Sequence, residues 1–486
     1  MKNDQQEYRE IRHKSSQGIK WQGLSEVFIR VLQFTTTIVL ARLLLPQDFG
    51  LIGIAAVFIQ LTLIVFDFGL NTALIQKEQV SEQEYASVFF LLLLSSLFWA
   101  GLFIVLAPWI AKYFGYQLLR PIIRLLTLNF FFTAFSAIPR VKINRGMQFK
   151  RLGIAQMAAS FGFGLVAVVV AWRTGSVWSF VFAMLTEQFI LSVLLNLMAP
   201  WRPGHGFQFS TVKELFAFGG HVTGSRTAAY INNNTPTFLI GKLLGANVLG
   251  YYALAYQLVE FPVQRISKNV LRVMFPALSR IQKDRENYTA LFLETVYYLS
   301  LILVPIFAGI WLVAPELVVL FYGSKWQPAV LPLQILTWAG LFRSFWIMNS
   351  VIFLSRGNPQ KEFRLNLVFF VVLVPLILVT APYGLAAVAA AVTVNMGVFL
   401  AIGNIMARRL VDLPLRSFLK TMVTPAIGVV LFLFVVLILD YLLLNAFAPL
   451  ARFGIKMLVS MAVYGLFLWS RDRTLFGKLI RFLTSG

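Results

Sequence analysis

Three basic residues, Arg265, Lys268 and Arg272, stand at i, i+3 and i+7, a spacing that puts them on one face of a helix. Glu260 lies a turn or more before them. The surrounding chain is apolar enough to lie in a membrane, where an uncompensated base marks a path for substrate or ion. Arg272 also reads as a side chain reaching back to the inner surface, a reading that fits Arg265 less well. Two further stripes carry related chemistry. Gln22, Glu26, Arg30, Gln33 and Thr37 fall within an arc of about 80° on a helical wheel, and Thr223, Arg226, Tyr230, Asn233 and Thr237 fall within a similar arc. Arg343 sits near the middle of another apolar run. Arg30, Arg226, Arg265, Lys268 and Arg343, with Arg272 at the edge, describe a cationic chamber. An anion fits it, and the planar donors of arginine suit phosphate.

The plainer alternative is that Glu26 and Arg30, four residues apart, neutralise each other inside the bundle. That does not account for Arg226, which has no acidic neighbour in its own run. The carboxylates Glu26, Asp67, Glu187 and Glu260 are candidates for coupling to H+ or Na+, or structural partners of the bases. No cofactor is called for. Cysteine is absent and the histidines, His13, His205 and His221, are scattered, so no metal site of cysteine and histidine is expected. No phosphate-cradling glycine loop is present, which excludes ATP hydrolysis by this chain.

These residues must be positioned by helices that cross a membrane. Of 486 residues, 58% are hydrophobic and 13% charged, about half the charge usual in a soluble domain. The apolar residues gather in runs of about 20, long enough to span the hydrocarbon as helices and unlike the short alternating strands of a barrel. Runs at about 18–42, 48–71, 85–107, 118–139, 153–173, 178–199, 214–241, 248–276, 290–313, 331–354, 364–381, 384–407, 419–441 and 453–470 give roughly 14 spans. The first 20 residues are polar, which predicts no cleavable signal and an insertion directed by the first span. With the N-terminus inside, basic residues such as Arg140, Lys142, Arg145, Arg280, Arg408 and Arg471 fall in inner loops. They outnumber those outside by about three to one. The net charge of +22 is therefore a topology signal rather than a sign of nucleic acid. Both termini are expected in the cytoplasm. Pro236, Pro262, Pro305 and Pro375 are expected to kink or loosen their spans. Gly162 with Gly164, and Gly220 with Gly224, are expected at close helix contacts.

The chain repeats itself. ARLLLPQDFG at 41–50 returns as GKLLGANVLG at 241–250, and Ala73-Leu74-Ile75-Gln76 returns as Ala277-Leu278-Ser279-Arg280. Arg124-Leu125-Leu126-Thr127 returns as Gln334-Ile335-Leu336-Thr337, and Arg145-Gly146 as Arg356-Gly357. The unit is six spans, an even number, so both copies enter the membrane in one sense. Such copies are related by an axis along the membrane normal. The expected organisation is a cytoplasmic segment (1–17), a first lobe (18–200), a linker (201–213), a second lobe (214–407), two further helices (408–470) and a basic tail (471–486). At a 200-residue offset Glu26 meets Arg226, Arg30 meets Tyr230, Gln33 meets Asn233 and Thr37 meets Thr237. Two matching polar faces predict a shared central cavity.

The opening spans, GIKWQGLSEVFIRVLQFTTTIVLARLLLPQDFGLIGIAAVFIQLTLIVFDFGLNTALIQK, resemble the oligosaccharide flippases of the polysaccharide transporter family. IGKLLGANVLGYYALAYQL (240–258), FPALSRIQKD (275–284) and KWQPAVLPLQIL (325–336) extend the match. The chain is most similar to the colanic-acid-exporter branch of the multidrug/oligosaccharidyl-lipid/polysaccharide superfamily. The resemblance implies two six-helix lobes in a V, alternating access, and a bacterial inner-membrane location. It also implies a substrate, an oligosaccharide unit on undecaprenyl pyrophosphate. Arg30, Arg226, Arg265, Lys268, Arg272 and Arg343 would then hold the pyrophosphate, while Gln33, Tyr230, Asn233 and Thr237 meet sugar hydroxyls. Partners would be membrane lipids and the pathway's polymerase and glycosyltransferases, and the last two helices could groove the lipid tail. Two alternatives stay open. An intramembrane polymerase or ligase would carry a larger outer loop than any in this chain. A drug or cation antiporter would favour an acidic cavity.

Overall fold

The computed structural model describes residues 2–204, 209–411, 413–443 and 447–471. Part of the expected linker (205–208), including His205, and the tail beyond Arg471 lie outside the described residues, as do the side chains of His13 and His221. The helices are α1 (Lys2–Leu43), α2 (Pro46–Phe66), α3 (Leu70–Gln76), α4 (Glu82–Phe114), α5 (Leu119–Leu126), α6 (Leu128–Arg145), α7 (Phe149–Thr174) and α8 (Trp178–Met198). They continue as α9 (Phe209–Leu243), α10 (Gly245–Pro262), a π-helical turn (Val263–Ser267), α11 (Lys268–Arg280), α12 (Arg285–Leu317), α13 (Val330–Ser355), α14 (Pro359–Thr380), α15 (Leu385–Val411), α16 (Leu415–Leu442) and α17 (Pro449–Arg471). No strand occurs among the described residues. Twelve helices there are long and apolar enough to cross a membrane. The polar-striped α9 and the α10–α11 passage complete the roughly 14 spans read from sequence.

The chain folds as two compact units, Met1–Gly250 and Tyr251–Gly486. The seventh passage, α9, packs within the first of them, on α2, α3 and α4.

The repeat is visible in bonds as well as letters. Arg145, at the end of α6, donates to the carbonyl oxygens of Leu74 at 2.6 Å, Lys77, and Glu78 at 2.8 Å, closing the end of α3. Arg356, after α13, does the same for Gln282 just beyond α11. Arg124 Nε reaches back to the carbonyl of Ile104 at 3.2 Å, and its counterpart Gln334 reaches that of Trp311 at 3.1 Å. Ser81 caps α4 by accepting from Glu84 N at 3.2 Å, and Asp284 caps α12 by accepting from Asn287 N at 3.1 Å. The side-chain and backbone N–H groups of Asn287 hold the Asp284 carboxyl below the usual carboxylate range.

In both copies the second passage is irregular. The second predicted span runs to 71 unbroken, but the structure breaks it at Asp67-Phe68-Gly69, where Phe68 has φ 45° and Gly69 φ 70°. Two successive left-handed residues cannot continue a helix, and only glycine adopts that region without strain. Its counterpart leaves α10 at Pro262 through the π-helical turn. Proline lacks the N–H that the preceding turn needs. The repeat offset grows from 200 at Ala55/Ala255 to 204 at Ala73/Ala277, so both irregular turns lie where the copies differ in length. The helix α9 continues through Pro236, α12 through Pro305 and α14 through Pro375.

Small residues set the closest approaches. A Cβ on Gly50 would lie 1.8 Å from the Ala246 carbonyl oxygen, and one on Gly250 would lie 1.9 Å from that of Pro46. Residues 46 and 50 and residues 246 and 250 thus cross reciprocally at the 200-residue offset, within the first unit. The helices α1 and α7 pack in matched register, where a Cβ on Gly153 would lie 3.1 Å from Ser25 Oγ and one on Gly164 2.9 Å from Thr36 Oγ1. Gly162 meets Ile190. The expected contacts at Gly220 and Gly224 are corrected, since a Cβ on either would meet nothing within 4 Å among the described residues. Gly50→Ala or Gly250→Ala should destabilise the protein by about 1–3 kcal/mol through overpacking against backbone. Gly53→Ala, whose Cβ would rest 3.7 Å from Leu249, should be near neutral. Thermal unfolding of the three variants in one detergent checks the difference.

Candidate functional site

In the first unit the candidates lie on α1, α2 and α9. The buried side of α1 carries Ser25 and Thr36, which seat it on α7. The stripe of Gln22, Glu26, Arg30, Gln33 and Thr37 lies about 100° around the helix from that side. Glu26 and Arg30 are exposed and Gln33 half-buried. Arg30 donates to Gln33 Oε1 at 3.2 Å, and Thr37 donates to the Gln33 carbonyl at 2.8 Å. On α9, Asn233 is exposed and Thr237 half-buried. The Tyr230 hydroxyl is already engaged, donating to the carbonyl oxygens of Val57 at 3.2 Å and Ala56 at 3.4 Å on α2. These bonds fix α9 to α2.

Asp67 stands at the break after α2, where its Oδ1 accepts from Asn71 N at 3.3 Å. Two guanidinium groups, those of Arg226 and Arg140, lie within electrostatic reach of it. Sequence reading placed Arg140 in an inner loop; the structure corrects this. The side chain belongs to α6 and is half-buried, and its Nε is buried with no hydrogen-bond partner among the described residues. Its only signal was position, next to Pro139 at the end of an apolar run. Arg226 has no acidic neighbour in its own run, and the carboxylate within electrostatic reach of it is Asp67 at the end of α2. Glu187 is set apart from this group. It accepts a hydrogen bond from Ser160 at 3.1 Å and ties α8 to α7.

In the second unit a polar ladder climbs every fourth residue through α10, the π turn and α11: Tyr252, Tyr256, Glu260, Gln264 and Lys268. Ideal α-helix turns 40° between such residues, and a π-helical turn, with more residues per turn, reduces that drift. Tyr252 and Tyr256 stack at 5.7 Å between ring centroids. Arg343 on α13 donates to Glu260 Oε2 at 2.9 Å and to the Tyr256 hydroxyl. Gln264 donates to the other oxygen of Glu260. Lys268 lies within electrostatic reach of both Arg343 and Glu260. The Tyr252 hydroxyl is buried with no hydrogen-bond partner among the described residues. Arg265 is half-buried inside the π turn and Arg272 exposed farther along. Of the three bases read as one face, Lys268 and Arg272 are exposed on α11 while Arg265 lies half-buried in the π turn.

Each unit thus has one carboxylate within electrostatic reach of two bases, beside the irregular turn of its second passage, and in the second unit one of those bases, Arg343, is hydrogen-bonded to it. The trio in each carries a surplus of one positive charge. Arg343→Met should cost about 3–5 kcal/mol, because it leaves the Glu260 carboxylate inside the bundle without its hydrogen-bonded base. Glu260→Gln in the same background should recover part of that loss. Unfolding free energies of the single and double variants measure the coupling.

Residues 39–331 match the model of a family described as "Polysaccharide biosynthesis protein". The chain is 26% identical over 371 residues to "Lipopolysaccharide biosynthesis protein WzxC" of Escherichia coli (strain K12), covering 76% of this chain and 75% of the other. Its fold is similar to that of a solved "Lipid II flippase MurJ, inward closed conformation", with a TM-score of 0.77, 17% identity, and coverage of 94% of this chain and all of that one. It is also similar to an "Inward-facing conformation of a multidrug resistance MATE family transporter of the MOP superfamily", with a TM-score of 0.63, 16% identity, and coverage of 79% and 94%.

Proposed function

Because the chain belongs to the polysaccharide biosynthesis protein family, we propose that it is the flippase that turns a lipid-linked oligosaccharide unit across the membrane. The lipid carrier would be undecaprenyl pyrophosphate and the membrane the bacterial inner membrane, with both termini cytoplasmic. One observation carries the reading: in the second unit the Arg343–Glu260 ion pair, closed at 2.9 Å, has a further base, Lys268, within electrostatic reach, and in the first unit Asp67 has Arg140 and Arg226 within such reach. A pyrophosphate completes that imbalance and a cationic drug worsens it. The relative from Escherichia coli bears a name from lipopolysaccharide biosynthesis, and the solved MurJ structure bears the name of a lipid flippase.

Arg140 and Arg226 take the diphosphate in the first unit, and Lys268 and Arg343, with Arg265 near, take it in the second. Arg30 and Arg272, exposed like Arg226 and Lys268, supply further positive charge. Gln33, Asn233 and Thr237 meet sugar hydroxyls. Asp67 and Glu260 hold the bases in place while no substrate is bound, and each is a site where a proton or Na+ would change the balance. Glu26 offsets charge along the α1 stripe.

Arg226→Ala and Lys268→Ala should each reduce export by about ten- to hundredfold, the loss of a charged hydrogen bond to phosphate. Protein level and thermal stability should stay close to wild type. Cells depleted of the protein should accumulate one undecaprenyl-pyrophosphate oligosaccharide in the cytoplasmic leaflet, read by mass spectrometry of lipid extracts with periplasmic labelling. Accumulation of single units in the outer leaflet would instead identify a polymerase.

A further inference from the structure

Beside the last two helices lies a charged cavity that none of the substrate chemistry above uses. Its walls come from α12, α13, α16 and α17, and its volume is about 350 Å³, at the lower end of the ~300–1,000 Å³ range of small-ligand sites. Glu316 on α12, Asp440 on α16, and Arg452 and Lys456 on α17 line it, with Trp311 and Gln334 beside them. Arg452 grips Asp440 with Nε and Nη2, both at 2.7 Å, and its Nε lies 3.1 Å from Glu316. Lys456 Nζ lies 2.7 Å from Glu316 and 3.1 Å from Asp440. Lys456 and Glu316 are 3% and 7% exposed, which makes them buried charges rather than a solvated surface pair.

The four charges sum to zero, so neither an anion nor a cation gains from entering. Hydrogen-bonding capacity is nevertheless left over. Glu316 Oε2 is buried with no partner among the described residues. Among the described residues Arg452 bonds through Nε and Nη2, which leaves Nη1 for a further acceptor. Gln334 donates Nε2 to the Trp311 carbonyl and keeps its amide oxygen. Donors and acceptors of both kinds therefore surround one cavity, next to an indole. A ligand that donates and accepts through closely spaced groups, carries no charge, and offers a C–H face to an aromatic ring matches this set. We propose that the cavity between α12, α13 and the α16–α17 pair is a binding site for a neutral saccharide, distinct from the cation-rich trios. A zwitterionic lipid headgroup also has zero net charge, but to gain contacts it must break ion pairs already closed at 2.7–3.1 Å. A polyol adds bonds without breaking them. Binding at this cavity does not depend on the flippase reading; only its side of the membrane, the outer one, rests on the orientation proposed above.

The test is ligand-observed saturation-transfer NMR on the full chain in lipid nanodiscs, free of maltoside detergent. The probes are galactose, N-acetylglucosamine, glucuronic acid and glycerophosphoethanolamine. A saturable signal is expected from the two neutral sugars. It should weaken about tenfold in Gln334→Leu and in Arg452→Lys, which keeps the charge and removes the fork. Trp311→Phe, a smaller change, should weaken it without loss of fold. Absence of signal from either neutral sugar, or a signal unaltered in all three variants, overturns the proposal. So does displacement of the sugar by glycerophosphoethanolamine, which would make this a lipid headgroup site. Because no transport step is measured, a failed flippase assay leaves this result readable.

Discussion

A charge inside hydrocarbon must be answered by a charge of opposite sign or by something that can stand in for one. That constraint orders most of the structure. Glu260 is answered by its ion pair with Arg343, with Lys268 within electrostatic reach, and Asp67 lies within such reach of Arg140 and Arg226. In each case the carboxylate lies beside a turn where the helix is not α-helical. Breaking α2 at Phe68-Gly69 frees the chain to present Asp67 between α6 and α9. The π turn after Pro262 keeps Lys268 near the face of α10 that carries Glu260. Neither trio is neutral. Under the proposed function, that remaining positive charge is the part a pair of phosphates would meet.

The duplication explains how such a site is built twice. Arg145 and Arg356 close the same helix end in the two copies, and Arg124 and Gln334 brace the same neighbour though one is charged and the other is not. What the copies share is a geometric task, which several residue types perform. Gly50 and Gly250 are the strictest case, because each faces a backbone carbonyl that leaves no room for a methyl group. The α16–α17 pair has no counterpart in the first copy. It is held to α12 by Glu316, Asp440, Arg452 and Lys456 rather than by shape alone.

The helices, their number and the repeat were legible because each leaves a periodic or repeated trace. The bases Arg226, Lys268 and Arg343 could be singled out as charges in apolar runs. Their partners could not, since Asp67 reaches Arg226 from 159 positions earlier in the chain, and no local pattern records that. Arg140 was hidden by its place at a span's end, where a base ordinarily marks the cytoplasmic side. The helical wheel that grouped Arg265 with Lys268 and Arg272 assumed uniform α-helix, and the π turn breaks that assumption. The bonds from the Tyr230 hydroxyl to the α2 carbonyls leave no trace in the sequence, because the acceptors are backbone atoms. The Glu316 network was missed for the same reason as Asp67, its members being spread over three helices.

Recognition of the diphosphate by the trios is tested most directly by native mass spectrometry of the purified protein with undecaprenyl pyrophosphate, undecaprenyl monophosphate and undecaprenol at equal concentration. If the two cation-rich trios recognise the diphosphate, the pyrophosphate lipid binds most tightly, the monophosphate less, and the alcohol least. Replacing Arg226 and Lys268 together should erase that order. Equal retention of all three lipids would mean that the chain holds the polyprenyl tail and not the charge, and would contradict a phosphate-binding role for the trios.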